Sequence, residues 1–204
     1  MQIIRDIPQG SEEWIQLKLG VATASNFNKI ITAGGKESAT LEKYALQLAT
    51  EATLFSAEPN FKNEIMARGN ELEAEARQVY QEETFNIVEE ITMFKSDCGN
   101  FGYSPDGLVA NDGLIEIKCP LATTHFQYIL EDKVPSDYWQ QLQGGLWVSN
   151  RNWIDFVSYH PNFKEKKLFI KRVERDDNYI YQLDILVKKT ILLKEKFLKQ
   201  FNGE

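Results

Sequence analysis

The chain has 204 residues and a mass of 23.5 kDa, with 43% hydrophobic and 26% charged residues. This composition excludes a disordered or low-complexity chain and predicts one globular domain over residues 1–204. Apolar runs are far shorter than the roughly 18 residues of a membrane span, and the first residues do not resemble a secretory signal. Two Cys and two His exclude a disulfide framework and a thiolate zinc site. We therefore expect a reduced, cytoplasmic protein.

The formal net charge of −7 argues at first against nucleic-acid binding, because phosphate binding usually needs a basic surface. The charges are segregated, however. From residue 160 onward eleven Lys and Arg accompany seven Asp and Glu, whereas residues 1–159 carry twelve against twenty-three. Acidic residues concentrate between Glu64 and Glu90. A solvated helix face explains most of them, but clustered acids can also hold a divalent metal.

The N-terminal third and the C-terminal end of the chain have apolar residues at helical spacing. In the first such segment, Ser11 followed by two acidic residues is typical of a helix cap, and Gly20 supplies a stop. Helical segments are predicted at 11–20, 23–25, 40–52, 63–83, 123–130, 136–147 and 177–201.

Between these helices the sequence is rich in β-type runs. Strands are predicted at 87–94, 101–104, 108–110, 114–118, 153–159 and 167–173. Residues 111–113 read Asn-Asp-Gly, a strong hairpin signal, so the runs up to residue 118 are expected to form an antiparallel meander. The predicted fold class is α/β, with a central mixed β-sheet flanked by helices and no internal repeat.

One pair of neighbouring segments carries the chemistry. Residues 104–107, Ser-Pro-Asp-Gly, are placed on one strand, and Glu116 and Lys118 share a face of the next, with Ile117 pointing into the opposite layer. The hairpin brings Asp106 beside Glu116, and two carboxylates suit Mg²⁺. A lysine beside such an ion would have a lowered pKa and could hold an attacking water or offset charge on phosphorus.

The same pattern has a plainer interpretation. A Glu-x-Lys strand is common on a solvated sheet face, and Pro-Asp-Gly is a frequent turn. Against this, apolar residues at both parities between Leu114 and Cys119 indicate a strand covered on both faces, whose charges need partners. The residue pattern alone leaves both interpretations open.

Asp106 and, after nine intervening residues, Glu116-Ile117-Lys118 resemble the PD-(D/E)xK nuclease motif. The match is closer still to the branch formed by phage lambda exonuclease and the YqaJ-type viral recombinases. Segments similar to this family occur in order along most of the chain, at 17–25, 69–77, 104–108, 116–120, 138–143 and 173–176. The resemblance implies a PD-(D/E)xK nuclease-like core.

The resemblance also implies roles for the motif residues. Asp106 and Glu116 would ligate the metal ions, with the backbone carbonyl of Ile117 as a further ligand. Lys118 would position the nucleophilic water. The implied cofactor is Mg²⁺, as two ions, with Mn²⁺ as a substitute.

Two further catalytic residues are implied on helices. Glu73 would complete the metal shell through water, and Gln141 would orient the water or the scissile phosphate. Tyr138 would support the DNA or the active site, or serve only in packing. Alternatives remain for the two helix positions, namely Glu64, Glu71, Glu75 and Glu82 for the acid and Gln140 and Gln143 for the amide.

A pocket for the DNA 5′ phosphate is implied at Lys18, Ser25 and Ser104. Lambda exonuclease has Arg where this chain has Lys18. Lysine lacks the bidentate fork of arginine, so phosphate binding is expected to be weaker or less geometrically strict. A solvated lysine and a helix cap are the plain alternatives for Lys18 and Ser25. His125 and His160 are interpreted as structural or surface residues, and Cys119 as a small buried one.

Taken as a member of this family, the protein would be an alkaline-type exonuclease acting on double-stranded DNA ends. It would degrade one strand from the 5′ end and leave a 3′ overhang for annealing and recombination. Expected partners are linear duplex DNA, a single-strand annealing protein and two further copies in a ring-shaped homotrimer, in a phage or prophage setting within a bacterial host. The alternatives are an endonuclease or single-strand nuclease on the same core, and a non-catalytic DNA-binding module.

Overall fold

The computed structural model describes residues 1–54 and 64–204, and side chains within 1–54 and 71–204. Six α-helices are described, α1 Glu12–Leu17, α2 Leu41–Glu51, α3 Glu64–Thr84, α4 Ala122–Glu131, α5 Trp139–Ser149 and α6 Asp177–Asn202. Two 3-10 helices lie at Ala24–Lys29 and Ser136–Tyr138. The strands are β1 Gln2–Ile4, β2 Ala22–Thr23, β3 Val88–Glu89, β4 Met93–Lys95, β5 Phe101–Tyr103, β6 Gly107–Val109, β7 Gly113–Lys118, β8 Trp153–Tyr159 and β9 Leu168–Glu174.

These strands form two sheets. The first has the order β1-β4-β5-β2, and the second, central sheet has the order β3-β6-β7-β8-β9. In the central sheet β7 and β8 run parallel and the other neighbours antiparallel, so the sheet is mixed. The α/β class with a mixed sheet flanked by helices is confirmed.

Helices cover both faces of the central sheet. Side chains at alternate positions of β7, such as Leu114, pack in a cluster with α2, α5 and α6, whereas Ile115 and Ile117 pack against Ala76 and Tyr80 of α3. This alternation follows from the two-residue period of a strand. The middle strand β7 is therefore buried on both sides, as its sequence indicated.

Local sequence signals set several helix boundaries. The Ser11 side chain accepts a hydrogen bond from the Trp14 amide, and Asp176 accepts one from the Tyr179 amide, so each caps the helix that follows it. Gly20, at φ +67°, follows α1 in the left-handed conformation that glycine adopts without strain. The predicted start of α3 at Asn63 lies outside the described residues.

The predicted meander is wrong in its connectivity. The run 87–94 is divided into β3 and β4, which belong to different sheets, and β5 joins the first sheet instead of pairing with β6. Two of its antiparallel pairings are confirmed, that of the end of the first run with the second, as β4 with β5, and the β6–β7 hairpin around the Asn-Asp-Gly turn. Residues 104–106, predicted on a strand, instead form the irregular segment that crosses from the first sheet to the second.

Helices that cross a bilayer are long and apolar. None of the helices described in residues 1–54 and 64–204 is long and apolar enough to cross one.

Candidate active site

The carboxylate of Glu116 lies at the centre of the site. Its residue is 2% exposed, on the β7 face that is turned towards α5. Tyr103 donates to Glu116 Oε2 at 2.9 Å, while Lys118 Nζ at 2.6 Å and the Gln141 amide both donate to Oε1. A buried carboxylate is costly unless it is hydrogen-bonded, and these three donors meet that requirement.

Tyr103 holds its proton firmly in this position. Burial and the charge of Glu116 raise the pKa of its hydroxyl well above the usual value, so Tyr103 acts as a donor. Gly145 of α5 allows this packing, because a Cβ there would lie 2.7 Å from the Tyr103 ring. Tyr103 could not be identified from the sequence, because its contact with Glu116 depends on the first sheet meeting the second.

Asp106 lies on the segment between the two sheets, next to β7. Its Oδ2 accepts a hydrogen bond of 2.6 Å from the backbone N–H of Ile117, which fixes the carboxylate beside Glu116. Burial raises the pKa of Asp106 well above its usual value, and the charge of Glu116 raises it further. Two neighbouring carboxylates that repel each other, the buried one of Glu116 and the half-buried one of Asp106, favour a bound cation.

Lys118 is the cation already present. Burial alone would lower the pKa of its ammonium, but the charges of Glu116 and Asp106 outweigh burial and raise the pKa above its usual value. The lowered pKa predicted from the sequence assumed a neighbouring metal ion. Lys118 Nζ also lies 5.4 Å from the centre of the Tyr138 ring, within the range of a cation–π contact.

Helix α3 contributes Glu73 and Arg77. Arg77 donates to Glu73 at 2.6 Å and to the backbone carbonyl of Asp106 at 3.1 Å, and pairs with Glu90 at 2.9 Å. Burial raises the pKa of Glu73, with Arg77 opposing the rise and Glu116 adding to it. Arg77 therefore ties α3 to the segment that carries Asp106, a role that sequence reasoning missed.

The alternative acids on α3 are placed elsewhere. Glu71 is exposed, Glu75 accepts a hydrogen bond from Tyr159, and Glu82 accepts one from Gln78. The side chain of Glu64 lies outside the described side chains. Among the described acids of this helix, Glu73 is the one that lines the site.

The alternative amides on α5 are also placed elsewhere. Gln143 bonds the backbone of Glu174 and Asp176, and Gln140 is buried, whereas Gln141 reaches Glu116. The geometry therefore favours the predicted choice of Gln141.

The donor set fits a hard divalent cation that keeps several waters. Among the described side chains, no group of three or more His, Cys, Asp and Glu is arranged to hold a metal alone. Asp106 and Glu116 are two carboxylates with mutual repulsion, and Mg²⁺ is typically bound through one or two carboxylates together with water and substrate oxygens. Glu73, which lies on α3 and not on the hairpin that carries this pair, is suited to contact the cation through water.

The three predicted phosphate-binding residues line the same cleft. Lys18 is the C-cap residue of α1, and its Nζ lies 3.6 Å above the Trp14 ring. The Trp14 indole N–H donates to Ser104 Oγ at 3.1 Å, so Trp14 links Lys18 with Ser104. Ser25 is exposed, with its hydroxyl 3.2 Å from that of Thr23. Burial lowers the pKa of Lys18 to about 8.

Two other lysines fix the segment that carries Lys18. Lys95 of β4 donates to the backbone carbonyl of Leu17 at 2.9 Å, and Lys194 of α6 donates to that of Gly20 at 2.7 Å. Both ammoniums thus satisfy carbonyls at the end of α1. Elements distant in sequence thereby hold Lys18 in place.

All predicted site residues meet in one cleft of about 510 Å³. Its lining includes Lys18, Ser25, Glu73, Ser104, Asp106, Glu116, Ile117, Lys118, Tyr138 and Gln141, together with Trp14 and Tyr103. A shallower groove beside the start of α6, of about 670 Å³, shares none of them. His125, His160 and Cys119 are buried outside the acidic centre, although Cys119 borders the cleft.

The chain resembles a known protein family and solved exonuclease structures. The family model of the YqaJ-like viral recombinase domain matches residues 13–152. The chain is 34% identical to an alkaline exonuclease from Laribacter hongkongensis, with 95% of this chain and 97% of that chain covered and a TM-score of 0.86. The same enzyme in complex with dAMP gives 34% identity, coverage of 95% and 98%, and a TM-score of 0.84.

A more distant neighbour supports the fold alone. A phage-related exonuclease from Haemophilus somnus 129PT is 18% identical, with 89% of this chain and 96% of that chain covered and a TM-score of 0.69. The comparison with curated proteins gave no significant match.

Proposed function

Because this chain belongs to the YqaJ-like viral recombinase family, we propose that it is an exonuclease that hydrolyses one strand of linear double-stranded DNA from the 5′ end. The family and the 34% identical alkaline exonuclease support the coarser statement, a DNA exonuclease. The polarity, the Mg²⁺ dependence and the 3′ overhang left for annealing and recombination are proposals from the site. The observation that carries them is one cleft lined by an acidic pair and by a basic, hydroxyl-bearing pocket.

In the proposed mechanism, Asp106, Glu116 and the carbonyl of Ile117 would hold Mg²⁺, as two ions, or Mn²⁺. When bound, the ions would lower the pKa of a water and neutralise charge on the phosphate. Lys118 holds the attacking water and offsets the charge that develops on the phosphate oxygens. Glu73 and Gln141 orient waters around the reacting phosphate.

The pocket at Lys18, Ser25 and Ser104 supports a 5′ polarity. An ammonium and two hydroxyls can accept a terminal phosphate through charge-assisted hydrogen bonds, and a phosphate at the chain end distinguishes a 5′ terminus from internal positions. We also propose that the protein acts as a homotrimer around DNA and with a single-strand annealing protein. An acidic outside with a basic channel would reconcile this with the net charge of −7.

One assay tests the proposal against its alternatives. Linear duplex labelled at either 5′ or 3′ ends and closed circular DNA are incubated with Mg²⁺ or with EDTA. The proposal expects early release of the 5′ label as mononucleotide, slow loss of the 3′ label and no cleavage of circles. Cleaved circles would identify an endonuclease, and binding without EDTA-sensitive hydrolysis would identify a DNA-binding module.

Substitutions at the acidic pair test the site itself. Asp106→Ala and Glu116→Ala should reduce hydrolysis by several orders of magnitude while duplex binding persists, because each removes a metal ligand. Glu71→Ala is the matched control, since Glu71 is an exposed acid on α3. Ca²⁺ should support binding with little cleavage. Comparable turnover in either site variant would show that the carboxylates do not hold the catalytic metal.

A further inference from the structure

A second surface lies at the same edge of the central sheet as the active site. Strands β7 and β8 are parallel, with Lys118 opposite Ser158, so both carboxyl ends reach one edge. β7 ends at Lys118 and leads into α4, and β8 leads into residues 161–167, here called the lysine loop. The active site, α4 and the lysine loop are therefore neighbours along this edge.

The lysine loop presents positive charge that no ion pair within the described residues neutralises. Lys164, Lys166 and Lys167 are exposed, and none forms an ion pair with a residue in the described parts of the chain. Glu165 is the loop's acid. The acids at the end of α4 are already paired, Glu131 with Lys133 and Asp132 with Lys171. Within the described parts of the chain, three ammoniums thus remain available for an anionic ligand.

Buried contacts hold the loop in a defined shape. His125 of α4 lies with Nδ1 2.7 Å from Ser158 Oγ and Nε2 3.0 Å from the carbonyl oxygen of Lys166. Because a carbonyl only accepts, Nε2 carries the hydrogen. Lys166 has a φ of +56°, and Phe163 packs edge-on against His125 with ring centres 4.8 Å apart. The lysines are therefore presented from a fixed backbone.

The outer face of α4 supplies an aromatic ring beside these charges. Phe126 is 52% exposed, and its ring centre lies 6.4 Å from that of Phe163. Residues 121–130 contain no Asp, Glu, Lys or Arg. At a rise of about 1.5 Å per residue, Phe126 lies only about 6 Å along the helix from its first residue, which follows β7 closely.

We propose that this face of α4 and the lysine loop bind single-stranded DNA. Ammoniums next to an exposed ring match a ligand with phosphates and free base faces, whereas a duplex stacks its bases internally. The inference rests on the proposed exonuclease function, in which removal of one strand leaves its complement single-stranded at the active site. The surface holds that strand as it leaves the site.

The experiment measures binding of a fluorescent oligothymidylate of about 20 nucleotides in EDTA, where no hydrolysis occurs. The triple variant Lys164→Ala, Lys166→Ala, Lys167→Ala should lower the slope of log affinity against log salt by about 2, since each single-strand phosphate contact contributes about 0.7. The matched control replaces three exposed lysines elsewhere that have no ion pair in the described residues, Lys43, Lys196 and Lys199. Its slope should not change.

A second arm tests the ring. Phe126→Ala should weaken binding about five- to a hundredfold, the range of one base stacked on an aromatic side chain, and Phe126→Leu should weaken it similarly. On an abasic strand of the same length neither variant should have an effect. Full affinity in Phe126→Leu, or equal losses on the abasic strand, would overturn the stacking.

Other outcomes separate this inference from the proposed function. If the wild-type protein hydrolyses duplex ends but does not bind the oligonucleotide, the single-strand surface is refuted and the exonuclease stands. If it binds as predicted but hydrolyses nothing, the exonuclease alone is refuted. Equal losses in both triple variants would reduce the effect to net charge and overturn the proposed surface.

Discussion

Lys118 is the residue on which we expect the chemical step to depend. Its ammonium contacts Glu116 and lies near Tyr138. Lys118→Ala should lower the single-turnover rate at saturating DNA about 10²- to 10⁴-fold and change duplex affinity little, because the residue acts where charge develops. Rates and fluorescence anisotropy measure the two quantities. Lys133→Ala, on an exposed lysine, is the control, and rescue of Lys118→Ala by raising DNA concentration would show a binding role only.

Lys18 should make the recognition of a 5′ phosphate pH-dependent. Burial lowers its pKa to about 8, so Lys18 is charged below that pH and becomes neutral above it. At pH 7, kcat/KM for a 5′-phosphorylated duplex should exceed that for a 5′-hydroxyl duplex roughly ten- to a hundredfold, because a charge-assisted hydrogen bond contributes about 1.5 to 3 kcal/mol. The ratio should fall towards one as the pH rises through about 8.

Two variants check this pH dependence at one fixed salt concentration. Lys18→Arg should keep the ratio at high pH, because guanidinium stays charged. Lys18→Ala should lack the preference at every pH. A wild-type ratio that stays constant between pH 7 and pH 9.5 would contradict the role of Lys18.

Most of the residues that line the cleft could be predicted from the sequence, but the residues that hold them in place could not. Asp106, Glu116 and Lys118 are recognisable because their spacing forms a motif on a hairpin. Tyr103 and Arg77 carry no such signal, since each reaches the site through tertiary contacts between elements. Residue spacing thus predicts chemistry within one hairpin, whereas contacts between sheets require the fold.

At the scale of elements, one buried carboxylate joins α3, β8 and β9. Asp155 accepts from the Tyr80 hydroxyl at 2.7 Å and from Arg172 at 2.8 and 2.9 Å, and Arg172 stacks on Trp153. Burial and the hydrogen bond to Asp155 raise the pKa of Tyr80, so the hydroxyl remains a donor. This network fixes α3, and with it Glu73, against the central sheet.

Loss of Asp155 should therefore destabilise the protein. Asp155→Ala is expected to lower the free energy of unfolding by about 2 to 4 kcal/mol, because the Tyr80 hydroxyl and part of the Arg172 guanidinium lose their acceptor. Asp184→Ala, at an exposed pair with Lys188, should cost less than about 0.5 kcal/mol. Urea unfolding followed by circular dichroism measures both, and equal costs would contradict the bridging role.

The elements that sequence predicted well are those stabilised locally. The capped helices, the β6–β7 hairpin and the seven-residue strands β8 and β9 all have strong patterns. β1 and β2 were not predicted, because strands of two or three residues form only through pairing with β4 and β5, far along the chain. The run 87–94 has β-type residues on both sides of Glu89 and Glu90, and tertiary pairing divides it between two sheets.

For the whole molecule, the acidic centre predicts stabilisation by divalent cations. A cation at tenfold its dissociation constant stabilises the folded state by about 1.4 kcal/mol, or about 3 to 6 °C in Tm for a chain of this size. Ca²⁺ or Mg²⁺ should therefore raise Tm in the wild type and in Glu71→Ala, but not in Asp106→Ala or Glu116→Ala. Thermal unfolding measures this, and an undiminished shift in either site variant would place the cation elsewhere.

The lysine of α6 that holds the end of α1 has a consequence for the order of events during synthesis. Lys194 and Gly20 are separated by 174 residues, so their contact cannot form until nearly all of the described chain has left the ribosome. Until then the turn bearing Lys18 lacks one of its supports. A nascent chain thus carries the acidic motif long before the turn that bears Lys18 is complete, and the proposed recognition of DNA ends would mature last.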